Sequence, residues 1–314
     1  MEPSFRAHVA AISCAARDVN IYEFTRPDGA PLADVEPGAH IDIALPNGML
    51  RQYSLIRPGA APDRYAVAVK RDPNSRGGSR FIHDELRVGH LVTLTGPRNH
   101  FRLEEGAKHT ILFAGGIGIT PIFCMLQRLQ QKRSHPWSLH YSCRTRAEAA
   151  FLKELACSPQ VHLNFDDESG GVLDLATIVA QAPREAHLYC CGPTPMLAAF
   201  EAATTNWPVE RKHVEYFVND SAPSLDGGFV VELKRSGREF AVPSGKSILD
   251  VLRDAGIDVS YSCEQGICGA CEARVISGVP DHRDSVLTPA EQASNKTVMI
   301  CCAGSKSERI VLDL

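Results

Sequence analysis

No apolar run in the 314 residues approaches the roughly 20 needed to cross a bilayer as a helix. Charge of one sign is also lacking. The chain has 33 Lys and Arg against 37 Asp and Glu, a net charge of −4, too small to argue for nucleic acid or a charged membrane surface as a partner. The opening residues, MEPSFRAHVAAISC, carry an acid at position 2 and no long apolar core, so no secretory signal is expected and the reading is cytoplasmic. There is no internal repeat, no low-complexity tract and no G-x-G-x-x-G fingerprint, which removes solenoids and the standard Rossmann assignment. What remains is an ordinary globular composition, 44% hydrophobic and 22% charged, long enough for two or three domains.

Cysteine is the exception, with eleven in the chain. In a reducing compartment they are not expected to pair as structural disulfides. Seven of them (Cys14, Cys124, Cys143, Cys157, Cys190, Cys191 and Cys302) sit in apolar or mixed contexts and read as small buried residues. The other four need a different account.

Three segments and a linker follow from the pattern. Residues 1–104 alternate in short runs such as HIDIAL and RYAVAVK, broken by Pro and Gly clusters, which reads as an antiparallel β-barrel or sandwich. Residues 105–220 alternate strands with helices, which implies a parallel α/β sheet. Residues 221–228, within the run NDSAPSLDGG, read as a linker, and 229–314 form a third domain that opens on a hairpin and a helix.

The third domain holds SCEQGICGAC, a C-x4-C-x2-C triplet of Cys263, Cys268 and Cys271, with MICC some thirty residues later. That is the plant-type 2Fe–2S spacing, in which one tight loop gives three thiolates and a distant segment the fourth. Gly266 and Gly269 suit the sharp turns this needs. Zinc is the rival, but its cysteines usually come as two close pairs. Read as neighbours on one strand, Cys301 and Cys302 point to opposite faces, so one of the two completes the set. The stretch from Ser262 to Leu314 resembles the C-terminal ferredoxin domain of the phthalate dioxygenase reductase and vanillate demethylase reductase family, including the DHRD at 281–284. The resemblance implies a β-grasp ferredoxin fold and favours Cys301 as the fourth ligand.

In the second segment, AGGIGITP follows a buried strand and opens a helix, the context of a phosphate-cradling turn. YCCGPTPM ends a later strand, where the ligand crevice of a parallel sheet lies. Both resemble the nicotinamide domain of the ferredoxin–NADP reductase superfamily. The resemblance implies NADH contacts at Gly115, Gly116, Gly118, Thr120, Pro121, Gly192, Pro193 and Met196. It also implies a nicotinamide-proximal Cys191, with Cys190 as its core neighbour. Asp166, with Asp167 beside it, either disfavours a 2′-phosphate and so selects NADH or forms a solvated turn. Arg144 is a further cofactor candidate, with a plain surface arginine as the alternative.

In the first segment, RQYSL matches the superfamily's R-x-Y-S flavin motif at Arg51, Tyr53 and Ser54. Arginine suits phosphate, and tyrosine and serine suit the ring system and its edge. The run Arg76-Gly77-Gly78-Ser79 reads as an anion-binding turn opening a short helix, and it resembles the FMN-binding reductases of the phthalate type. FMN is therefore expected rather than FAD. Lys70 and Arg71 are candidates on the phosphate side. Phe217, with Tyr216 second, is the aromatic expected on the flavin ring.

The resemblance covers nearly the whole chain in the order flavin, nucleotide, ferredoxin. It implies a reductase that takes electrons in pairs from NADH through FMN and releases them singly through the cluster. The implied partner is the terminal oxygenase of a two-component Rieske-type oxygenase or demethylase, met transiently by a monomer. A reductase of a different, FAD-dependent hydroxylase system and a cluster-based redox sensor are the rival readings.

Overall fold

The computed structural model describes every residue except 1–3, 74, 76, 134, 157 and 220. Six antiparallel strands come first: β1 (Ser4–Ala16), β2 (Val19–Thr25), β3 (His40–Ala44), β4 (Leu50–Ser54), β5 (Tyr65–Lys70) and β6 (Leu91–Arg98), with the helix α1 (Gly78–Glu85) before β6. Their order is β4-β3-β6-β1-β2-β5. The two ends of this sheet meet where Leu55 bridges Val67 and the Ile56 amide donates to the Ala66 carbonyl at 3.0 Å, closing the expected barrel. Alternating residues fill it, among them Val9, Tyr22, Phe24, Ile41, Ile43 and Leu94, all at most 1% exposed. One cysteine departs from expectation: Cys14 is exposed, not buried. Register shifts between Val9 and Ala11 and again between Cys14 and Ala16 break the inward alternation of β1 and turn that end to solvent. Cys157 lies outside the described residues.

The second layer is a five-stranded parallel sheet of β7 (Thr110–Gly115), β8 (Trp137–Cys143), β9 (Val161–Phe165), β10 (His187–Cys191) and β11 (Lys212–Glu215), ordered β11-β10-β7-β8-β9. Five helices connect them: α2 (Ile119–Lys132), α3 (Leu152–Leu155), α4 (Asp166–Ser169), α5 (Leu175–Gln181) and α6 (Thr194–Ala203). The chain enters at the central β7, builds outward through β8 and β9, then crosses back to β10. That reversal puts the topological switch point between the carboxyl ends of β7 and β10, where ligands of open α/β sheets bind. Barrel and α/β layer share one core, in which Val19, Ile56, Ala66 and Ala68 pack with Ile122, Leu126 and Tyr141. They form a single compact unit that runs to Glu215.

The other unit, Tyr216–Leu314, has its own core. Its sheet joins β12 (Phe229–Leu233), β13 (Arg238–Val242), β14 (Glu272–Ser277), β16 (Thr297–Met299) and β18 (Arg309–Leu312) in the order β13-β12-β18-β14-β16, with β15 (Pro280–Asp281) and β17 (Gly304–Ser305) as a small side ladder. The β12–β13 pair is the hairpin expected from sequence. The helix α7 (Ile248–Asp254) buries Ile248, Leu249 and Leu252 in the core and starts from a Ser247–Asp250 capping box. A mixed sheet folded over one helix is the β-grasp arrangement. A short helix, α8 (Pro289–Ser294), precedes β16. Residues 221–228 belong to this unit. The Ser224 amide donates to the Cys302 carbonyl at 2.8 Å, and the Gly245 amide donates to the Leu225 carbonyl at 2.8 Å.

Candidate functional site

The flavin motif lies on β4, whose residues pair with β3: Arg51 opposite Ile43, Tyr53 opposite Ile41, Ser54 opposite His40. The barrel strand β5 between them brings the glycine turn, 27 residues further along the chain, to the same place. A Cβ on Gly78 would stand 2.3 Å from Nε of Arg51 and 2.8 Å from its Cγ, and a Cβ on Gly77 would stand 3.1 Å from Cε of Met49. Gly77 has φ of 101°, a left-handed backbone that glycine adopts without strain, and it caps α1. The arginine is thus seated against the amide end of α1, where its Nη1 donates to the Leu50 carbonyl at 2.8 Å and its Nη2 to Sδ of Met49 at 3.2 Å. Ser79 contributes by accepting the Asp72 amide on its hydroxyl at 3.2 Å, which closes the turn. Tyr53 is half-buried, and desolvation lifts its phenol well above the usual range, so it stays protonated.

Two candidates on the phosphate side are engaged elsewhere. Arg71 forks onto Asp84 at 3.1 Å through both nitrogens, so it is a surface ion pair and not an open anion donor. Lys70 faces Glu148 at 3.9 Å. Arg76 lies outside the described residues. Phe217 and Tyr216 belong to the other unit, and Phe217 is 37% exposed. One residue the sequence did not flag is His40, opposite Ser54. It is buried, its Nε2 has no partner among the described residues, and desolvation, then Arg98 and His100, hold its pKa down at about 3. Nothing in the short HID run of a barrel strand announces that.

At the switch point two distant turns interlock. A Cβ on Gly115 would stand 2.6 Å from both Sδ of Met196 and Cδ of Pro193, and one on Gly118 would stand 2.3 Å from the Cys191 carbonyl oxygen. Side chains at these positions would force the turns apart. Gly116 between them has φ of 53° and open space beside it, leaving room for a ligand to approach the backbone. Thr120 and Pro121 are buried in the first turn of α2, and the Thr120 hydroxyl donates to the Ile117 carbonyl at 3.0 Å. Its observed work is to shape the turn. Cys191 is fully buried, its thiol 3.9 Å from Oε2 of Glu215 on β11. Burial, then the nearby carboxyl, lifts that thiol far above its usual range, while desolvation pushes Glu215 up to about 8. Glu215 escaped sequence reading because an isolated acid in HVEYF carries no pattern.

At the ends of β8 and β9, Asp166 Oδ1 accepts from Oγ of Ser142 at 3.2 Å and from Nδ2 of Asn164 at 3.0 Å. Its carboxylate is therefore fixed and aimed, unlike that of a freely solvated turn. Asp167 is exposed and donates its amide to the Arg144 carbonyl at 3.2 Å. The Arg144 side chain is exposed.

In the second unit, the four cysteines selected from sequence converge. The Cys301 thiol is hydrogen-bonded with Cys263, Cys271 and its neighbour Cys302, and Cys263 with Cys268. That network, led by Cys263, holds the Cys301 thiol far below its usual range. Backbone amides already point at the sulfurs: Gln265 donates to Cys263 at 3.3 Å and Ala270 to Cys268 at 3.5 Å. The strand premise behind the choice between Cys301 and Cys302 does not hold. Both sit in a turn after β16, where the Cys302 amide donates to the Met299 carbonyl at 3.2 Å. The two thiols touch each other, but only Cys301 also reaches Cys263 and Cys271. Sγ of Cys302 faces Gly266, 2.5 Å from where a Cβ would be, and its thiol is 3.7 Å from the Met299 carbonyl. Asp284 of the DHRD run packs on the same glycine, and its Oδ2 accepts the Val286 and Leu287 amides at 3.2 and 2.8 Å. Among the described residues no three His, Cys, Asp or Glu are spaced to hold a single metal ion. The fit to a binuclear cluster rests on the four converging thiols, a donor set that suits iron and sulfide.

The 2Fe-2S iron-sulfur cluster binding domain family (Fer2) matches residues 231–305, the segment that carries these cysteines. Along its whole length the chain is 51% identical to a phenoxybenzoate dioxygenase subunit beta of Ectopseudomonas oleovorans, covering 99% of this chain and 97% of that one. A solved phthalate dioxygenase reductase, described as a modular structure for electron transfer from pyridine nucleotides to [2Fe-2S], superposes with a TM-score of 0.73 at 38% identity over 99% of this chain and 98% of that chain. The chain belongs to the phthalate dioxygenase reductase family. A type IV self-sufficient cytochrome P450 monooxygenase also contains this architecture, with a TM-score of 0.90 and 38% identity over 99% of this chain. The chain spans only 41% of that longer protein. Membership of the phthalate dioxygenase reductase family accounts for the order barrel, parallel sheet, β-grasp. No helix among the described residues is long and apolar enough to cross a membrane.

Proposed function

We propose that this chain is the reductase component of a two-component Rieske-type oxygenase or demethylase, moving electrons from NADH through FMN to a 2Fe-2S cluster and on to the oxygenase. The observation that carries the reading is the convergence of Cys301 on the C-x4-C-x2-C loop, in a chain that also holds an interlocked nucleotide crevice. The bound groups supply the redox chemistry: FMN takes electrons in pairs and yields them singly, and the cluster carries one at a time. The chain's residues bind, orient and exclude water. Arg51, seated on Gly78, is the phosphate ligand of the flavin, with Gly77 and Ser79 shaping the turn and Ser54 and Tyr53 lining the ring side. The Gly115–Gly118 turn and Gly192, Pro193 and Met196 take the nicotinamide end of NADH, above the buried Cys191 and Glu215. Asp166 accepts from the adenosine ribose. Cys263, Cys268, Cys271 and Cys301 hold the cluster. FMN is favoured over FAD because the helix-capped cradle suits a terminal phosphate.

The test is anaerobic titration of the purified holoprotein with NADH. Flavin and cluster absorbance should bleach together, and a reduced-cluster EPR signal should appear. Failure of NADH to bleach either would sink the reading. The same preparation should run as a monomer on gel filtration, engage its oxygenase only transiently, and keep the ten described cysteines reduced, as in the cytoplasm.

The likeness to a self-sufficient P450 supports a second reading, in which the acceptor is a haem monooxygenase. Supplying the reduced protein with a Rieske oxygenase or with a P450, and measuring which one it reduces, separates the two.

A further inference from the structure

Arg146 and Glu168 occupy equivalent places, each three residues beyond the carboxyl end of its strand, β8 and β9. The guanidinium lies 4.2 Å above the Phe165 ring and forks onto Glu168, with Nε to Oε1 at 2.9 Å and Nη2 to Oε2 at 2.6 Å. Stacking and a bidentate pair together fix its plane, although both side chains are about half exposed. This is the edge of the sheet where a carboxylate recognises the adenosine ribose of NADH and an arginine accommodates the 2′-phosphate of NADPH. Both kinds of group are present, so their wiring decides which nucleotide is used. We propose that Glu168 sets the preference for NADH by clamping Arg146, so that a guanidinium suited to a 2′-phosphate is already occupied when the nucleotide arrives.

The charges agree. A 2′-phosphate adds up to about two negative charges. It would approach Asp166, held in place by Ser142 and Asn164, with exposed Asp167 following in sequence, while the charge of Glu168 is already matched by Arg146. A ribose hydroxyl meets no such penalty and can donate to Asp166. Glu168 acts through Arg146 and needs no contact with NADH, so it is a positioning residue. Because the pair is solvent-exposed, its effect is modest.

The inference rests on the reading that this crevice takes a nicotinamide dinucleotide, and the experiment separates the two. Full-length holoprotein and its Glu168→Gln variant are compared for flavin reduction by NADH and by NADPH under anaerobic conditions. The variant should raise kcat/KM for NADPH about three- to fivefold while NADH stays nearly unchanged. Adding Arg146→Ala should remove the gain, and raised ionic strength should shrink it. An unchanged NADPH-to-NADH ratio in Glu168→Gln would overturn the proposal, as would a gain that survives loss of Arg146. If NADH fails to reduce the wild-type protein, the crevice assignment fails instead. Matching thermal unfolding of the variants shows that the comparison is between folded proteins.

Discussion

Gly78→Ala should separate folding from flavin binding. The added methyl carbon would sit 2.3 Å from Nε, 2.8 Å from Cγ and 2.9 Å from Cδ of Arg51. All three belong to a flexible side chain, so the conflict is resolved by swinging the arginine out of its seat. The backbone has no objection, since Gly78 opens α1 and alanine is a better helix former by about 1 kcal/mol. Stability of the apoprotein should hold or rise slightly. Flavin binding should fall, because a charge-assisted hydrogen bond is worth about 1.5–3 kcal/mol, a loss of roughly 10- to 100-fold in affinity. Fluorescence titration of apoprotein with FMN gives the affinity, and thermal denaturation gives the stability. Gly77→Ala is the contrasting control: its φ of 101° makes any side chain strained, so it should lower stability as well. The reasoning is refuted if Gly78→Ala binds FMN as tightly as the parent, or if it unfolds where Gly77→Ala does not.

Cys301→Ser should lose or badly weaken the cluster while Cys302→Ser keeps it, read from the visible spectrum and iron content; the reverse pattern overturns the ligand choice. Gly118→Ala meets a backbone oxygen at 2.3 Å that cannot swing aside, so nucleotide affinity should drop at least about tenfold with flavin content unchanged; an unaltered affinity would show that the two turns do not form the nucleotide site. Glu215 holds a proton in the folded state up to about pH 8, whereas the unfolded chain releases it near 4.5, so stability should fall as pH rises between those values. The slope is at most about 1.4 kcal/mol per pH unit, and urea unfolding of Glu215→Gln across this range should show a flatter profile. An identical slope in the variant would mean that the carboxyl is not desolvated.

What the sequence revealed was local. R-x-Y-S, the glycine turn, C-G-P and the cysteine triplet are runs in which chemistry and backbone demand coincide, so a few adjacent residues betray them. What stayed hidden depends on partners far apart in the chain. Glu215 matters because β11 lies beside β10 and sets its carboxyl against Cys191; Asp166 was flagged, but only Ser142 and Asn164, reaching it from two strands, set it apart from a solvated turn. Arg71 looked like a phosphate ligand until α1 delivered Asp84 to it. Two expectations failed for want of regular structure: cysteine's usual burial does not hold at Cys14, where bulges break β1, and a turn replaces the strand expected at Cys301 and Cys302. Periodicity predicts faces only where the regular element continues.

The segment expected as a bare linker shows how the cluster site is prepared. Nδ2 of Asn219 donates to the Gln265 carbonyl at 2.9 Å and to the Arg283 carbonyl at 2.6 Å. The Ser285 amide donates to the Gly266 carbonyl at 2.9 Å, and the Ser224 amide to the Cys302 carbonyl at 2.8 Å. Residues before β12 and the DHRD run are therefore stitched to the cysteine loop through its carbonyls, and Ser224 ties the Cys301 turn to the same residues before β12. A loop tied at its carbonyls keeps its amides free to face sulfur, the polarity a reduced, more negative cluster requires. It follows that Asn219 and Ser224 brace the cysteine loop and the Cys301 turn, and that shortening the run between them should disturb the site before it disturbs the β-grasp core.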